Sequence, residues 1–252
     1  MTPGFTPPPA LRILGVPVHD LTYADTLTTI AALIASRQPH QLCTVNPEFV
    51  MTAQRDAEFY AILQRAALNL PDGVGLLWAA RLRGYRLRQR VAGSTLVALL
   101  AEQAVRHDWR LYFLGAGPGV AALAAEKLTA QYPGLTVVTD PADPTPADAP
   151  AILARIHATR PDVLLVAYGA PKQDKWIAAY GAQAAVPVMM GVGGSFDFIA
   201  GTARRAPRWL QRLGLEWLHR LWHEPWRWRR MLALPQFAIA VLTQRQSVTR
   251  FD

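Results

Sequence analysis

A single cysteine, Cys43, among 252 residues excludes a disulfide framework and offers no thiolate pair to a metal. Charged side chains are scarce too, 17% against 51% hydrophobic, so disorder is not expected except at the ends. No apolar stretch reaches the ~20 residues that a spanning helix needs. The nearest, 231–242, is interrupted by Pro235 and Gln236. His107, His157, His219 and His223 lack metal-like spacing with acidic partners, and no Ser-His-Asp grouping is legible. Two acids in Asp-x-Asp spacing, the usual metal hold on a nucleotide diphosphate, are also missing, so no metal or other cofactor is expected. The first nine residues hold four prolines and lack the basic-then-apolar pattern of a signal peptide. Residues 1–10 therefore read as a disordered tail, and a cytoplasmic, reducing compartment fits.

Acidic residues are nearly absent from the last part of the chain. From residue 201 onward ten arginines face only Glu216, Glu224 and Asp252, although the whole chain carries a formal charge of +8. The body is close to neutral and the tail is basic. Five of the eight tryptophans (Trp209, Trp217, Trp222, Trp226 and Trp228) lie there as well. Leu210, Leu213, Trp217, Leu218, Leu221 and Trp222 fall on one face of a helix, with Arg208, Arg212, His219 and Arg220 largely elsewhere. Such a segment suits an anionic lipid interface. It equally suits a terminal helix docked on the core with its arginines in water.

What is present in the body is an alternation of strands and helices. The sequence predicts a strand ending in a glycine loop over 110–119 and strands over 135–140, 162–169 and 187–194, separated by helices over 120–131, 150–159 and 172–180. Short apolar strands divided by helices imply a parallel sheet covered on both faces. Earlier, a strand at the start leads to a helix over 23–36. The segment 41–50 is a strand running into a loop, followed by a helix to about residue 67, and 68–84 turns at Pro71-Asp72-Gly73 before another helical stretch. The expectation is an α/β domain over 11–201, with a Rossmann-like parallel sheet flanked by helices. A basic, helical, membrane-associating appendage over 202–252 would be dispensable for folding of that body.

Several strand ends carry polar or glycine clusters. Gly115, Gly117 and Gly119 follow a strand and open a helix, where backbone N–H groups can approach a phosphate. Asp140 closes the next strand, roughly where dinucleotide folds keep a ribose-binding carboxylate. A tight strand–helix turn explains the same glycines, and Pro118 departs from the usual dinucleotide spacing. Thr44 and Asn46 point the same way on an extended segment and place a hydroxyl and an amide at a strand end; an Asn-Pro turn accounts for them too. Asp72 sits in a glycine-flanked turn, suited either to a general base or to a helix N-cap. The segments 169–176 and 191–197, with Gln173 and Asp197, also follow strands. Ligands of open parallel sheets bind at the carboxyl ends of the strands, and four such ends here carry clusters.

Together, TVNPEFV (44–50), LPDGVG (70–75), RVAGS (90–94), FLGAGPG (113–119), GAPKQDKW (169–176), GVGGSFDFIAG (191–201) and RRAPRW with LEWLHRLWHEPWRWRR (204–230) resemble the WecG/TagA/CpsF family of bacterial glycosyltransferases. The resemblance covers the chain from about residue 11. It implies inverting transfer of N-acetylmannosamine, or a related sugar such as its uronic acid, from a UDP-sugar. The implied acceptor is N-acetylglucosamine linked through diphosphate to undecaprenol, in teichoic acid, common-antigen or capsule synthesis. The implied site has Asp72 as base, with Thr44, Asn46, Arg90, Gln173 and Asp197 in the pocket. A C-terminal appendage would engage the membrane and complete the site, and Arg204, Arg205, Arg208 and Arg220 are candidates for holding a diphosphate. The chain departs from the family at Asp174, where glutamate is common, and at Val91-Ala92, where a threonine often precedes the glycine. The expected partners are a UDP-sugar, a polyprenyl-diphosphate acceptor and an anionic membrane, with the protein peripheral at the inner face of the cell membrane; self-association is left open. Two other readings compete: an NAD-linked oxidoreductase using the glycine loop with Asp140, and a nucleic-acid-binding module using the basic tail. The second leaves the clustered strand ends unexplained, so no nucleic-acid partner is expected.

Overall fold

The computed structural model describes residues 7–203, 206–207, 210, 216–223, 225, 228–244 and 247–251. Its centre is a six-stranded sheet whose paired strands all run parallel: β3 (His40–Val45), β4 (Leu68–Pro71), β5 (Arg110–Gly115), β6 (Thr136–Asp140), β7 (Val163–Ala167) and β8 (Val188–Gly191), in the order β4-β3-β8-β7-β5-β6. Side chains alternate between the faces, as the strand repeat requires. Leu111, Phe113, Val163, Leu165, Val188 and Met190 pack on one side, beneath α1 (Tyr23–Ala35), α5 (Gly93–His107) and α6 (Val120–Gln131). Tyr112, Leu114, Leu164, Val166 and Met189 pack on the other, beneath α7 (Ala149–Thr159) and α8 (Lys172–Ala184). The α/β, Rossmann-like expectation is met.

Three elements escape the sequence reading. The helix expected to run to residue 67 is broken into α2 (Pro47–Ala53) and α3 (Ala57–Arg65), because Asp56 caps a new start by accepting the Phe59 N–H at 3.0 Å. Strand β4 follows in what was read as the approach to a turn. Helix α5 opens at Gly93 after the Arg90 segment, with no side-chain cap to announce it.

The largest correction concerns the end of the chain. β1 (Ala10–Ile13) pairs antiparallel with β2 (Val16–His19) on one edge and with β9 (Val248–Phe251) on the other, so the carboxyl end closes a second sheet with the amino end. Between them, the helix Ala233–Thr243 buries Phe237 and Val241 among Leu11, Ile13, Phe49, Phe59 and Leu76. Arg83, just past α4 (Val74–Leu82), donates to the carbonyls of Val241, Leu242 (3.2 Å) and Gln244 (2.9 Å) and to the Ser247 hydroxyl (3.0 Å). It thereby satisfies the open carbonyls of that helix end. Across the boundary expected at 201, the helix Ala233–Thr243 and β9 thus pack with the body. The appendage narrows to the segment before them, where the described elements are the helices Glu216–His223 and Trp228–Met231.

Deleting 202–252 is accordingly expected to give an insoluble body, with one edge of β1 unpaired and an apolar face uncovered. Phe237→Ala in the full chain should destabilise folding by about 3–5 kcal/mol, the usual cost of emptying a buried aromatic site, as read from urea denaturation. A loss below about 1 kcal/mol would mean that this helix is only loosely docked.

Candidate active site

Five strands of the parallel sheet deliver their carboxyl ends to one cleft of about 480 Å³. Thr44, Asp72, Ala116, Tyr168 and Val192 each follow or end a different strand, and all line it. This is the edge at which open α/β sheets bind ligands, because loops leaving parallel strands expose backbone N–H groups there.

The walls are held by close backbone approach. A Cβ at Gly191 would lie 2.6 Å from the Gln173 Nε2, and one at Gly73 would run into the ring of Pro47. No side chain larger than hydrogen fits at either place, so the Asp72-Gly73 turn rests directly on Asn46-Pro47. Gln173 is buried, and its Oε1 accepts the N–H of Gly169 at 3.1 Å and of Gly193 at 2.9 Å. One amide therefore links the loops after β7 and β8. Thr44 donates to the Gly191 carbonyl at 3.3 Å, and Asn46 caps α2 by accepting from the Phe49 N–H at 3.0 Å. Both line the cleft as expected, and Asn46 also fills the turn role weighed against it.

Asp72 is not a helix cap. The cap of α4 is Gly73, which leaves the Asp72 carboxylate turned toward the start of α5. There Oδ2 accepts the Gly93 N–H at 3.3 Å, while Arg90 lies 3.5 Å from Oδ1 and donates through Nε to the Asp72 carbonyl at 2.5 Å. A guanidinium and the positive end of a helix thus flank a carboxylate that still faces the cleft. Asp197, on α9 (Ser195–Ala200), also lines the cleft and anchors the next turn, its carbonyl accepting from Ala203 N–H at 3.1 Å and Thr202 hydroxyl at 3.2 Å.

Of the glycine loop, Gly117 lines the cleft; Gly115 and Gly119 shape it from behind through left-handed backbone, φ 84° and 72°. Asp140 is not brought to the cleft. Its side chain turns to the α7 face, where Arg155 (2.8 and 3.2 Å), the Tyr112 hydroxyl (2.8 Å) and the Ala142 N–H (3.1 Å) all donate to it. Burial opposes its charge, yet these donors outweigh burial and hold the carboxyl below its ordinary range. It is a structural carboxylate, spent before any ribose arrives. Arg204, Arg205 and Arg208 lie outside the described residues, as does the side chain of Arg220. Among the described residues no three histidine, cysteine, aspartate or glutamate side chains gather as metal ligands.

The cleft also holds residues not proposed from sequence as site residues: Glu48, Ser94, Tyr168, Ser195, Trp217 and Arg230. All lie inside or beside the blocks already noticed, and Glu48, Tyr168 and Ser195 closely follow a strand. Arg230 is different. It reaches back from the appendage to Glu48 of α2 at 2.6 Å, a contact 182 positions apart that no local pattern announces.

Next to Gln173, Asp174 is fully buried, and among the described residues neither carboxylate oxygen has a hydrogen-bond partner within bonding geometry. Burial pushes its carboxyl up to about 7, with the neighbouring Cys43 and Gln173 offsetting only part of the effect.

Sequence comparison now decides among the chemistries that such a cleft allows. The Glycosyl transferase WecG/TagA/CpsF family matches residues 11–250. The chain belongs to that family. Two N-acetylglucosaminyldiphosphoundecaprenol N-acetyl-beta-D-mannosaminyltransferases are among its relatives. That of Bacillus subtilis (strain 168) is 32% identical over 240 residues, 93% of each chain. That of Bacillus spizizenii (strain ATCC 23059 / NRRL B-14472 / W23) is 33% identical over 237 residues, 92% of each. The family match includes the closing helix and β9, as the fold requires. With Asp140 committed elsewhere, the NAD-linked reading loses its ribose ligand, and a full-length transferase family leaves the nucleic-acid module without support.

Asp174 carries a pH dependence with a definite sign. Its folded value lies above the ordinary 3.8, so the protonated form stabilises the fold at low pH and that stabilisation is lost as pH rises through about 7. Asp174→Asn should therefore match wild-type stability near pH 4 and exceed it at pH 8.5 by on the order of 2–4 kcal/mol. Urea denaturation at the two pH values measures this; equal stability at both would show that the carboxylate is solvated.

Proposed function

We propose that the chain is an inverting glycosyltransferase that moves N-acetylmannosamine, or a closely related sugar, from a UDP-sugar to N-acetylglucosamine carried on undecaprenyl diphosphate. The observation that carries this reading is convergence. The blocks around Thr44, Asp72, Arg90, Gly117, Gln173 and Asp197, scattered over some 150 positions, meet at one cleft in a chain that matches two such transferases along nearly their whole length.

The chemistry asks for a base and for stabilisation of a departing diphosphate. Asp72 takes the proton from the acceptor hydroxyl as that oxygen bonds the anomeric carbon from the face opposite UDP. The anomeric carbon–oxygen bond to UDP breaks with its electron pair leaving on the diphosphate, which inverts the configuration. Arg90, the loop amides around Gly117 and Gly193, and the tail arginines 204, 205, 208 and 220 are the donors for that charge. No metal enters the scheme. The acceptor's lipid brings the reaction to a membrane surface, where a basic, tryptophan-rich appendage has favourable partners.

Asp72→Asn should lower turnover by roughly 10²–10⁴-fold while leaving UDP affinity within about twofold. Sugar transfer to a lipid-diphosphate acceptor and UDP titration against tryptophan fluorescence supply the two readings. A variant that keeps more than half of the wild-type rate removes Asp72 as base. Wild-type activity should also survive EDTA; complete loss, restored by magnesium or manganese, would place a metal in the reaction. A panel of UDP-sugars tests the donor assignment.

A further inference from the structure

The described part of the appendage is not the only apolar surface turned to solvent. Helix α4, from the body, and the helix Ala233–Thr243 lie side by side and run the same way. At one end Val74 and Leu234 both line the cleft. In the middle a Cβ at Gly75 would sit 3.7 Å from the Phe237 ring. At the other end Arg83, next to Leu82, bonds the Leu242 carbonyl. Over this length, about 12 Å at 1.5 Å per residue, each helix keeps an exposed stripe. On α4 it is Val74, Trp78 (40% exposed) and Leu82, four residues apart each time. On the other helix Ile239 (61%) and Leu242 (58%) stand out.

From this geometry we infer that the paired stripes of α4 and the helix Ala233–Thr243 form a rigid bilayer-docking platform that seats the cleft mouth at the headgroups of an anionic membrane. The inference rests on the proposed reaction with a lipid-linked acceptor, and it moves part of the membrane contact from the basic appendage onto the folded body. Three observations select lipid as the occupant. Exposed apolar side chains gathered on two adjoining helices mark a candidate interaction site, and here Val74 and Leu234 at one end line the cleft that must admit a lipid-borne sugar. One end is basic: exposed Arg81 and Arg86 flank Leu82, in a chain of net charge +8, and basic residues are drawn to an anionic leaflet. Trp222 (85% exposed) and Trp228 (53%) belong to the helices that join this platform to the rest of the appendage, and tryptophan favours the headgroup level. Because Arg83 and the buried Phe237 lock the two helices together, the platform is already in place before lipid arrives, unlike a helix that must fold on contact.

The test uses the full-length protein carrying Trp78→Glu with Ile239→Glu, beside Val105→Glu on α5 as a control at another exposed apolar position. Co-sedimentation with vesicles of phosphatidylglycerol and phosphatidylcholine is the primary measurement. The double variant should lose at least about tenfold in vesicle partition and in transfer to an acceptor embedded in vesicles. Its turnover of a short-chain soluble acceptor should stay within about twofold, and the control should behave as wild type. Undiminished vesicle binding by the double variant, or none by the wild type, overturns the platform. So does a wild-type dimer in sedimentation equilibrium that the double variant breaks with vesicle binding intact, which would assign the stripes to a second copy. Failure of the wild type to transfer sugar to either acceptor would instead strike the proposed reaction, and the vesicle measurement still decides the platform.

Discussion

Gln173 makes the contact on which the shape of the cleft depends most directly. Its single amide oxygen accepts two backbone N–H groups, Gly169 after β7 and Gly193 after β8. Neither loop continues into regular hydrogen bonding at that point, and both are glycine-rich with left-handed residues, so each would otherwise sample many conformations. Tying them to one buried side chain sets the distance between two strand ends. The absence of a Cβ at Gly191 is what lets the Gln173 amide lie there at all. A glycine and a glutamine from separate blocks are thus one structural unit.

A second constraint comes from the ends of the chain. β9 and the last helix complete a layer begun by β1 and β2, so the fold cannot be finished until the carboxyl end returns. Such long-range closure costs chain entropy, offset here by burial of Phe237 and Val241 and by the four acceptors gathered by Arg83. The consequence for function is that the appendage is tethered at both of its ends to the body. The helices Glu216–His223 and Trp228–Met231 are carried between α9 and the docked helix, and Trp217, Arg230 and Met231 reach the cleft wall. A segment held this way can contribute to the site and face a membrane at once.

The charge distribution follows the same division. Ion pairs in the body, such as Arg155 with Asp140 and Lys175 with Asp56 and Glu58, join elements of a nearly neutral domain. The excess arginine is concentrated after residue 201, and Arg230, whose partner is Glu48, also reaches the cleft. Arg230 thus brings one of these positive charges to the cleft wall.

How much of this was legible beforehand depended on the range of the interactions. The strands and helices from 110 to 191 could be read because their signals are local: apolar runs of the right length, glycine at strand exits, alanine-rich helices between. Parallel order then required all strand ends to share an edge, so the clustering of Thr44, Gly117, Gln173 and Asp197 followed from the sequence alone. Helix α5 and strand β4 escaped notice because the first lacks a capping side chain and the second is four residues ending in proline. Tertiary structure alone decided three things. It turned Asp140 away from the cleft, since Arg155 and Tyr112 reach it from other elements. It freed Asp72 from the cap by putting Gly73 in that position and bringing Arg90 and the start of α5 beside the carboxylate. It folded the last helix and strand into the core, because hydrophobic residues such as Phe237 and Val241 reveal that they will be buried but not against what. Composition and local pattern settle which residues seek burial or a bend; the partner each one finds, from 15 positions away for Asp140 and Arg155 to 182 for Glu48 and Arg230, is set only by the packed chain.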